Sequence, residues 1–157
     1  MFSGIIKKTG VVKKIIFKKN EIQIGIKSSL KLLNKDLGSS VNCSGVCLTL
    51  IKIYKGLYFF YLSRETLRTS NFKNIKLNHI INLEKSLRFG SEISGHFVQG
   101  HVDTTSTVKK IKIAGKSLLI DFQLSKKYKK YFVQKGSITI NGVSLTIAKI
   151  TKDGFQI

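Results

Sequence analysis

The sequence predicts an all-β protein: two homologous small antiparallel Greek-key barrels with short helices, the second barrel incomplete. Three observations carry this reading. Short runs rich in Ile, Val, Phe and Tyr recur along the 157 residues, separated by Gly-, Asn- and Lys-containing turns. The chain also repeats itself at an offset of 97 residues, pairing Ser40 with Ser137, Gly45 with Gly142, Val46 with Val143, Cys47 with Ser144, Leu48 with Leu145 and Thr49 with Thr146. Upstream, Val12-Lys13-Lys14-Ile15 matches Val108-Lys109-Lys110-Ile111 at offset 96, as Gly4 matches Gly100. Finally, Ile157 corresponds to Phe60, so the second copy stops before anything matching Tyr61 to about Glu84. A repeat of this length suits a small domain, and the expected modules are residues 1–90 and 91–157.

Taken in order, Gly10–Phe17 and Glu21–Ile26 read as strands around a Lys18-Lys19-Asn20 turn, with Ile22, Ile24 and Ile26 alternating onto one face. Ser28 stands before Leu30 and Leu33, where a short helix is expected. Leu50–Tyr54 and Leu57–Leu62 read as a hairpin joined at Lys55-Gly56. Ser63 can cap a turn running through Arg68. Lys116–Leu124 is a further strand. Ser125 can cap a helix from Lys126 to Gln134, with Tyr128, Tyr131 and Phe132 on one face and Gly136 as its stop.

The net charge is +20, from 28 basic and 8 acidic residues. This suggests a polyanion partner, yet the balance is 25 Lys to 3 Arg, with 21 Ile, 2 Ala and no Pro. An A/T-biased genome produces that composition without selection for nucleic-acid binding, and the Lys pairs are scattered. Tyr58, Phe59, Phe60 and Tyr61 are consecutive and point to both faces of a strand, unlike a nucleic-acid stacking platform. No apolar stretch approaches the roughly 20 residues of a membrane span, and the start has no secretory pattern. Two cysteines, Cys43 and Cys47, are too few for a disulfide framework or a Cys-only zinc site. The expectation is a cytoplasmic protein with reduced thiols, no nucleic-acid partner and no membrane.

Chemistry centres on the repeated segment. On a strand, Ser144 and Thr146 face away from Val143, Leu145 and Ile147, just as Cys47 and Thr49 oppose Val46, Leu48 and Leu50. Each copy thus shows a small polar or nucleophilic pair after a Gly, which points to paired ligand sites. The Asn141-Gly142 step also fits a plain hairpin turn. His96 and His101 flank a Phe-Val-Gln-Gly stretch. Without a carboxylate pair or third His nearby, acid–base or hydrogen-bonding work suits one of them better than metal binding.

Several segments together resemble riboflavin synthase of the alpha type, the two-barrel family. They are Met1-Phe2-Ser3-Gly4-Ile5-Ile6, Gly45-Val46-Cys47-Leu48-Thr49, Glu65-Thr66-Leu67-Arg68, Gly95-His96 through Gly100-His101, Lys135-Gly136-Ser137 and Asn141-Gly142-Val143-Ser144-Leu145-Thr146, in the family's order and spacing across essentially the whole chain. The resemblance implies two six-stranded barrels, each binding 6,7-dimethyl-8-ribityllumazine, and a homotrimer once a C-terminal helical tail is supplied. It implies transfer of a four-carbon unit from one lumazine to another. The products are riboflavin and 5-amino-6-ribitylamino-2,4(1H,3H)-pyrimidinedione, and neither metal nor organic cofactor takes part. By resemblance, Ser144, Leu145 and Thr146 line the second site with His101, and Ser40, Cys47, Leu48 and Thr49 line the first. Gly4, Ile5 and Ile6 are expected beside the first-module ligand, as is the run Tyr61, Leu62, Ser63, Arg64, Glu65 and Thr66. Gly100, Val102 and Lys135 are expected beside the second. His101, Ser144, Cys47 and Thr146 are the expected catalytic residues. Ser44 departs mildly from the family, which usually carries Asn there. The second site lacks its counterpart of Tyr61–Thr66. The resemblance also covers a different outcome, a non-catalytic lumazine- or flavin-binding protein or an inactive fragment.

Overall fold

The computed structural model describes residues 1–18 and 21–157. Its first half is a closed six-stranded barrel. The strands are β1 (Lys8–Lys18), β2 (Glu21–Ser28), β3 (Ser40–Cys43), β4 (Val46–Tyr54), β5 (Leu57–Leu62) and β6 (Ile80–Lys85), in the order β1-β2-β5-β4-β3-β6, with all neighbours antiparallel. The alternation of apolar residues drives this closure. Val12, Ile24, Ile26, Val41, Leu48, Leu50, Phe60, Leu62 and Leu83 turn inward and are at most 2% exposed. Each such side chain contributes about 1.5–3 kcal/mol of transfer free energy. Register shifts at Val12/Lys14 and Leu50/Lys52 mark bulges, which tighten the curvature a small barrel needs. β6 closes the structure by pairing with β1 on one side and β3 on the other.

The second half repeats this plan without a counterpart of β6 among the described residues. β7 (Val108–Ala114), β8 (Ser117–Gln123), β11 (Lys149–Ile150) and β12 (Gly154–Gln156) form a four-stranded sheet in the order β11-β12-β8-β7, while β9 (Ser137–Ile140) and β10 (Val143–Thr146) form a separate hairpin. Here β10 and β11 together answer to β4, and their break at Ile147-Ala148 falls where β4 is bulged. Among the described residues no strand stands between β7 and β9, so both keep a free edge. Every residue of β7 is exposed, Ile113 by 81%. The small core gathers Phe122, Leu124, Ile147 and Phe155, with Phe132, Ile138 and Ile140 packed against it. Phe122 stacks on Phe155 with centroids 5.1 Å apart.

The hairpin at Lys55-Gly56 forms as expected, and so does the Ser63 cap, whose Oγ accepts from the Thr66 N–H at 3.1 Å to start α1 (Arg64–Thr69). Two expectations fail. The helix expected over Lys126–Gln134 is a 3₁₀ segment at Lys126–Tyr131; Ser125 makes no capping bond and Tyr131 is exposed. The aromatic spacing 128, 131 fits a three-residue period as well as a 3.6-residue one, and four lysines hold the segment at the surface. After Ser28 the chain forms no helix through Leu30 and Leu33. Ser28 Oγ instead donates to the Thr9 carbonyl at 2.6 Å and accepts from Leu30 N–H at 3.1 Å. A 3₁₀ segment follows at Asn34–Asp36, fastened by Asp36 Oδ2 accepting from Leu33 N–H at 2.8 Å. Of the expected Lys18-Lys19-Asn20 turn, Lys19 and Asn20 lie outside the described residues.

Candidate functional site

Cross-strand pairing builds two matching polar patches. On β3 and β4, Ser40 faces Thr49 and Asn42 faces Cys47. On β9 and β10, Ser137 faces Thr146 and Thr139 faces Ser144. Since partners opposite one another share a face, each half carries four polar or thiol side chains on one side of its hairpin. The other side bears the apolar residues: Val41, Cys43, Val46, Leu48 and Leu50 in the first half, Ile138, Ile140, Val143, Leu145 and Ile147 in the second. Ser40 and Cys47 are half-buried, as are Thr139 and Ser144, whereas Thr49 and Thr146 are exposed.

Two short arms cover these patches, and they cross over. Phe2 and Val98 bond each other reciprocally, Phe2 N–H to Val98 O at 2.8 Å and Val98 N–H to Phe2 O at 2.9 Å. From this junction the N-terminal arm runs to the second half, where Gly4 O accepts from Ser144 N–H at 2.8 Å. The linker arm runs to the first, where Gly100 O accepts from Cys47 N–H, also at 2.8 Å. Both glycines sit at positive φ, 76° and 80°. A methyl group on Gly4 would lie 2.7 Å from Ser144 Cβ, and one on Gly100 2.8 Å from Cys47 Cβ. No side chain fits either crossing.

This corrects the expected grouping. Gly4 belongs with Ser144 rather than with its own barrel, and Ile6 follows it toward Gly142. Gly100 belongs with Cys47, and Val102 packs against the core of the first barrel. His101 therefore rides on the arm that crosses the first barrel and is exposed, away from Ser144. The sequence could not show the exchange, because a repeat does not say whose arm covers which copy.

The histidine at Ser144 is His96. Its Nδ1 lies 2.7 Å from Ser144 Oγ and its Nε2 2.9 Å from Thr139 Oγ1, while the His96 backbone N–H donates to Ser3 O at 3.2 Å. With Nε2 protonated, the ring accepts the Ser144 proton and donates to Thr139, a relay that can raise the nucleophilicity of the serine hydroxyl. Among the described residues no histidine bonds the Cys47 thiol as His96 bonds Ser144. The two patches thus match in outline and differ in chemistry. Both thiols are free, and burial pushes that of Cys43 well above the usual range, with Cys47 adding to the effect.

Of the other expected contacts, Tyr61 is half-buried and Leu62 fully buried at the end of β5. Leu48 and Leu145 sit on the apolar sides of their strands, where they support the patches from behind. Leu48 is buried and Leu145 partly so. Ser63 and Thr66 hydroxyls are 3.0 Å apart. Glu65 pairs with Arg68 through two hydrogen bonds at 2.9 and 2.7 Å, and the guanidinium holds its carboxyl below the usual range. Arg64 opens α1 beside them. Ile5 and Ile6 are half-buried, and Lys135 is exposed at the foot of β9.

A hollow of about 900 Å³ lies over the interior of the second half and borders its polar patch at Ser137 and Thr139. Its walls include Phe122, Phe132, Ile138 and Phe155 and, from the first half, Ser44–Val46; His96 and His101 reach it, but neither Ser144 nor Cys47 does. No helix among the described residues is long and apolar enough to cross a membrane.

Comparison with known proteins fits this double arrangement. The family Lumazine binding domain matches residues 3–86 and again residues 99–157. The chain belongs to the riboflavin synthase family. It is 38% identical to riboflavin synthase of Buchnera aphidicola subsp. Baizongia pistaciae over 158 residues, 99% of this chain and 74% of that protein. It is equally close to riboflavin synthase of Chlamydia trachomatis, with 100% of this chain and 76% of that protein aligned. The Bacillus subtilis riboflavin synthase is 33% identical over 98% of this chain and 71% of its own length. Among solved structures, LumP complexed with riboflavin superposes with a TM-score of 0.85 at 25% identity, covering 100% of this chain and 85% of that one. LumP complexed with 6,7-dimethyl-8-(1'-D-ribityl) lumazine gives 0.83 at 23% identity over the same shares, a likeness of fold.

Proposed function

We propose that this chain serves riboflavin synthase chemistry, in which two molecules of 6,7-dimethyl-8-ribityllumazine exchange a four-carbon unit to give riboflavin and 5-amino-6-ribitylamino-2,4(1H,3H)-pyrimidinedione. One observation carries the reading: two equivalent polar patches, each closed by a glycine of the opposite arm. A reaction between two copies of one heterocycle calls for two like cradles. The C7 methyl protons of the lumazine are acidic because the anion delocalises into the ring, so no strong base is required. Holding two rings in a reactive antiparallel pair supplies up to about 7–11 kcal/mol of the barrier.

In this reading residues 1–90 hold one ligand and 91–157 the other. Ser40, Cys47 and Thr49 hold the first ligand from β3 and β4, with Gly100–Val102 from the crossing arm and Tyr61–Thr66 from the end of the barrel. Ser144 and Thr146 hold the second with Gly4–Ile6 and Lys135. Ser144, with His96 to take its proton, assists the addition at C7 that precedes transfer. Facing patches on different subunits bring the rings together, which makes the assembly a trimer with the active site between chains. The setting is the cytoplasm, and no metal or organic cofactor is called on.

A second reading is a non-catalytic lumazine- or flavin-binding protein. Its support is the likeness of fold to LumP, solved with riboflavin and with 6,7-dimethyl-8-(1'-D-ribityl) lumazine. Mixing the purified chain with 6,7-dimethyl-8-ribityllumazine and following riboflavin absorbance and fluorescence separates the two. Turnover supports the enzyme, and tight binding without turnover supports the binder. Neither binding nor turnover would sink both.

A further inference from the structure

Glu84, on β6 of the first barrel, is 2% exposed. A buried carboxyl side chain is costly unless its oxygens are filled by donors. Here four donors converge on it. Ser3 N–H and Ser3 Oγ–H both donate to Oε1 at 2.7 Å, while Gly4 N–H and the Asn42 side-chain amide donate to Oε2 at 3.1 and 3.3 Å. Three of these four come from the N-terminal arm, about eighty residues away in sequence. The barrel does not need them for closure: β6 pairs through its backbone with β1 and β3 irrespective of this side chain.

The next peptide group of the same arm reaches the other half. Gly4 N–H is bound by Glu84, and Gly4 O takes the Ser144 N–H. One peptide unit on either side of a single α-carbon thus links a carboxylate in the first barrel to the serine strand of the second half.

We propose that Glu84 is a positioning residue for the Ser144 site: it clamps the Ser3–Gly4 arm so that Gly4 closes the patch on the opposite half of the chain. This rests on the two-site reading above and names which part of the molecule regulates one of its sites. The expected signature is displaced. A merely structural residue of β6 would, when altered, disturb the first barrel and the Cys47 patch beside it. A clamp would loosen Ser144 more than that patch, which Glu84 touches only through the Asn42 side-chain amide.

The test uses the full 157-residue chain with Glu84→Gln, whose amide puts a donor where donors already point, and Ser3→Ala, which removes one bond and leaves the barrel strands untouched. Amide hydrogen exchange is read at Ser3, Gly4, Ser144 and Cys47. In Glu84→Gln the Ser144 amide is expected to exchange roughly 10- to 100-fold faster, the range for hydrogen bonds to a charged acceptor, with a smaller change at Cys47, whose neighbour Asn42 also bonds Glu84. Ser3→Ala gives a smaller change in the same direction and keeps the test open if Glu84→Gln does not fold. Unchanged protection of Ser144 in both variants, or equal loss at Cys47, would overturn the proposal. Lumazine titration of the same proteins is then read separately. Loss of the second-half site alone supports the clamp, and loss of the first-barrel site alone contradicts it. A wild-type chain that binds no lumazine would remove the ligand reading, while the exchange data still judge the clamp.

Discussion

Replacing Gly100 with alanine tests the crossed arms directly. The backbone there has φ of 80°, so any L side chain meets the left-handed strain of about 1–2 kcal/mol. The new methyl would also lie 2.8 Å from Cys47 Cβ and 2.9 Å from Cys47 N. Cys47 belongs to a closed barrel and cannot retreat without disturbing β4, so overpacking of about 1–3 kcal/mol adds to the strain. Gly38 provides the control: its φ is 81° and nothing stands within 4 Å of the methyl it would gain. Gly38→Ala should lose only the strain, and Gly100→Ala about 2–5 kcal/mol in all. For a chain of this size each kcal/mol moves the melting temperature by about 2–4 °C, so calorimetry resolves the pair. Lumazine titration should then show weakened binding at the first barrel. Equal melting temperatures for the two variants would refute the close approach, and a loss confined to the Ser144 side would refute the crossing.

Other outcomes follow from the same geometry. His96→Ala should slow turnover by roughly a hundredfold, within the usual range for a lost acid–base group, while lumazine binding to the first barrel stays intact; an unchanged rate would remove the relay. His101→Ala, on the arm that crosses the first barrel, should weaken lumazine binding there as well as turnover; binding that stays intact would count against its place beside that ligand. Of the two thiols, Cys47 should react with an aromatic disulfide and Cys43 should not until the barrel unfolds, because Cys43 is fully buried and its thiol is pushed up; simultaneous labelling would contradict the packing. Asp36 is held below the usual carboxylate range, first by the Leu33 N–H, against an opposing effect of burial, with Lys85 and Lys35 adding to the lowering. A group depressed in the folded state stabilises above its unfolded pKa and loses that contribution as pH falls through its folded value. The advantage of wild type over Asp36→Asn, at most about 1 kcal/mol for a carboxyl at the surface rim, should therefore vanish in acid; a gap that persists there would contradict it.

Much of the barrel was legible because strands announce themselves locally. Ile22, Ile24 and Ile26 alternate, Lys55-Gly56 turns, and the Ser63 cap has its Thr66 partner within one helical turn. The polar patches were legible for the same reason, since Cys47 with Thr49 and Ser144 with Thr146 lie two residues apart on their strands. What stayed hidden depends on contacts distant in sequence. Glu84 meets Ser3 across 81 residues, and His96 meets Ser144 across 48. No local period marks either. The segment after Ser125 failed for another reason: with so few apolar residues, its spacing fits two helical periods equally, and the packing of Phe132 on Phe155 decides between them.

The reciprocal bond between Phe2 and Val98 joins two arms that each leave home to serve the neighbouring copy. A lone ancestral unit of this kind could not have sealed its own cradle; it would have had to lend its leading segment to a twin and borrow the twin's in return. Fusing two such partners end to end makes that loan permanent. Thereafter either lender can drift, as the cysteine and serine strands have, without losing the other.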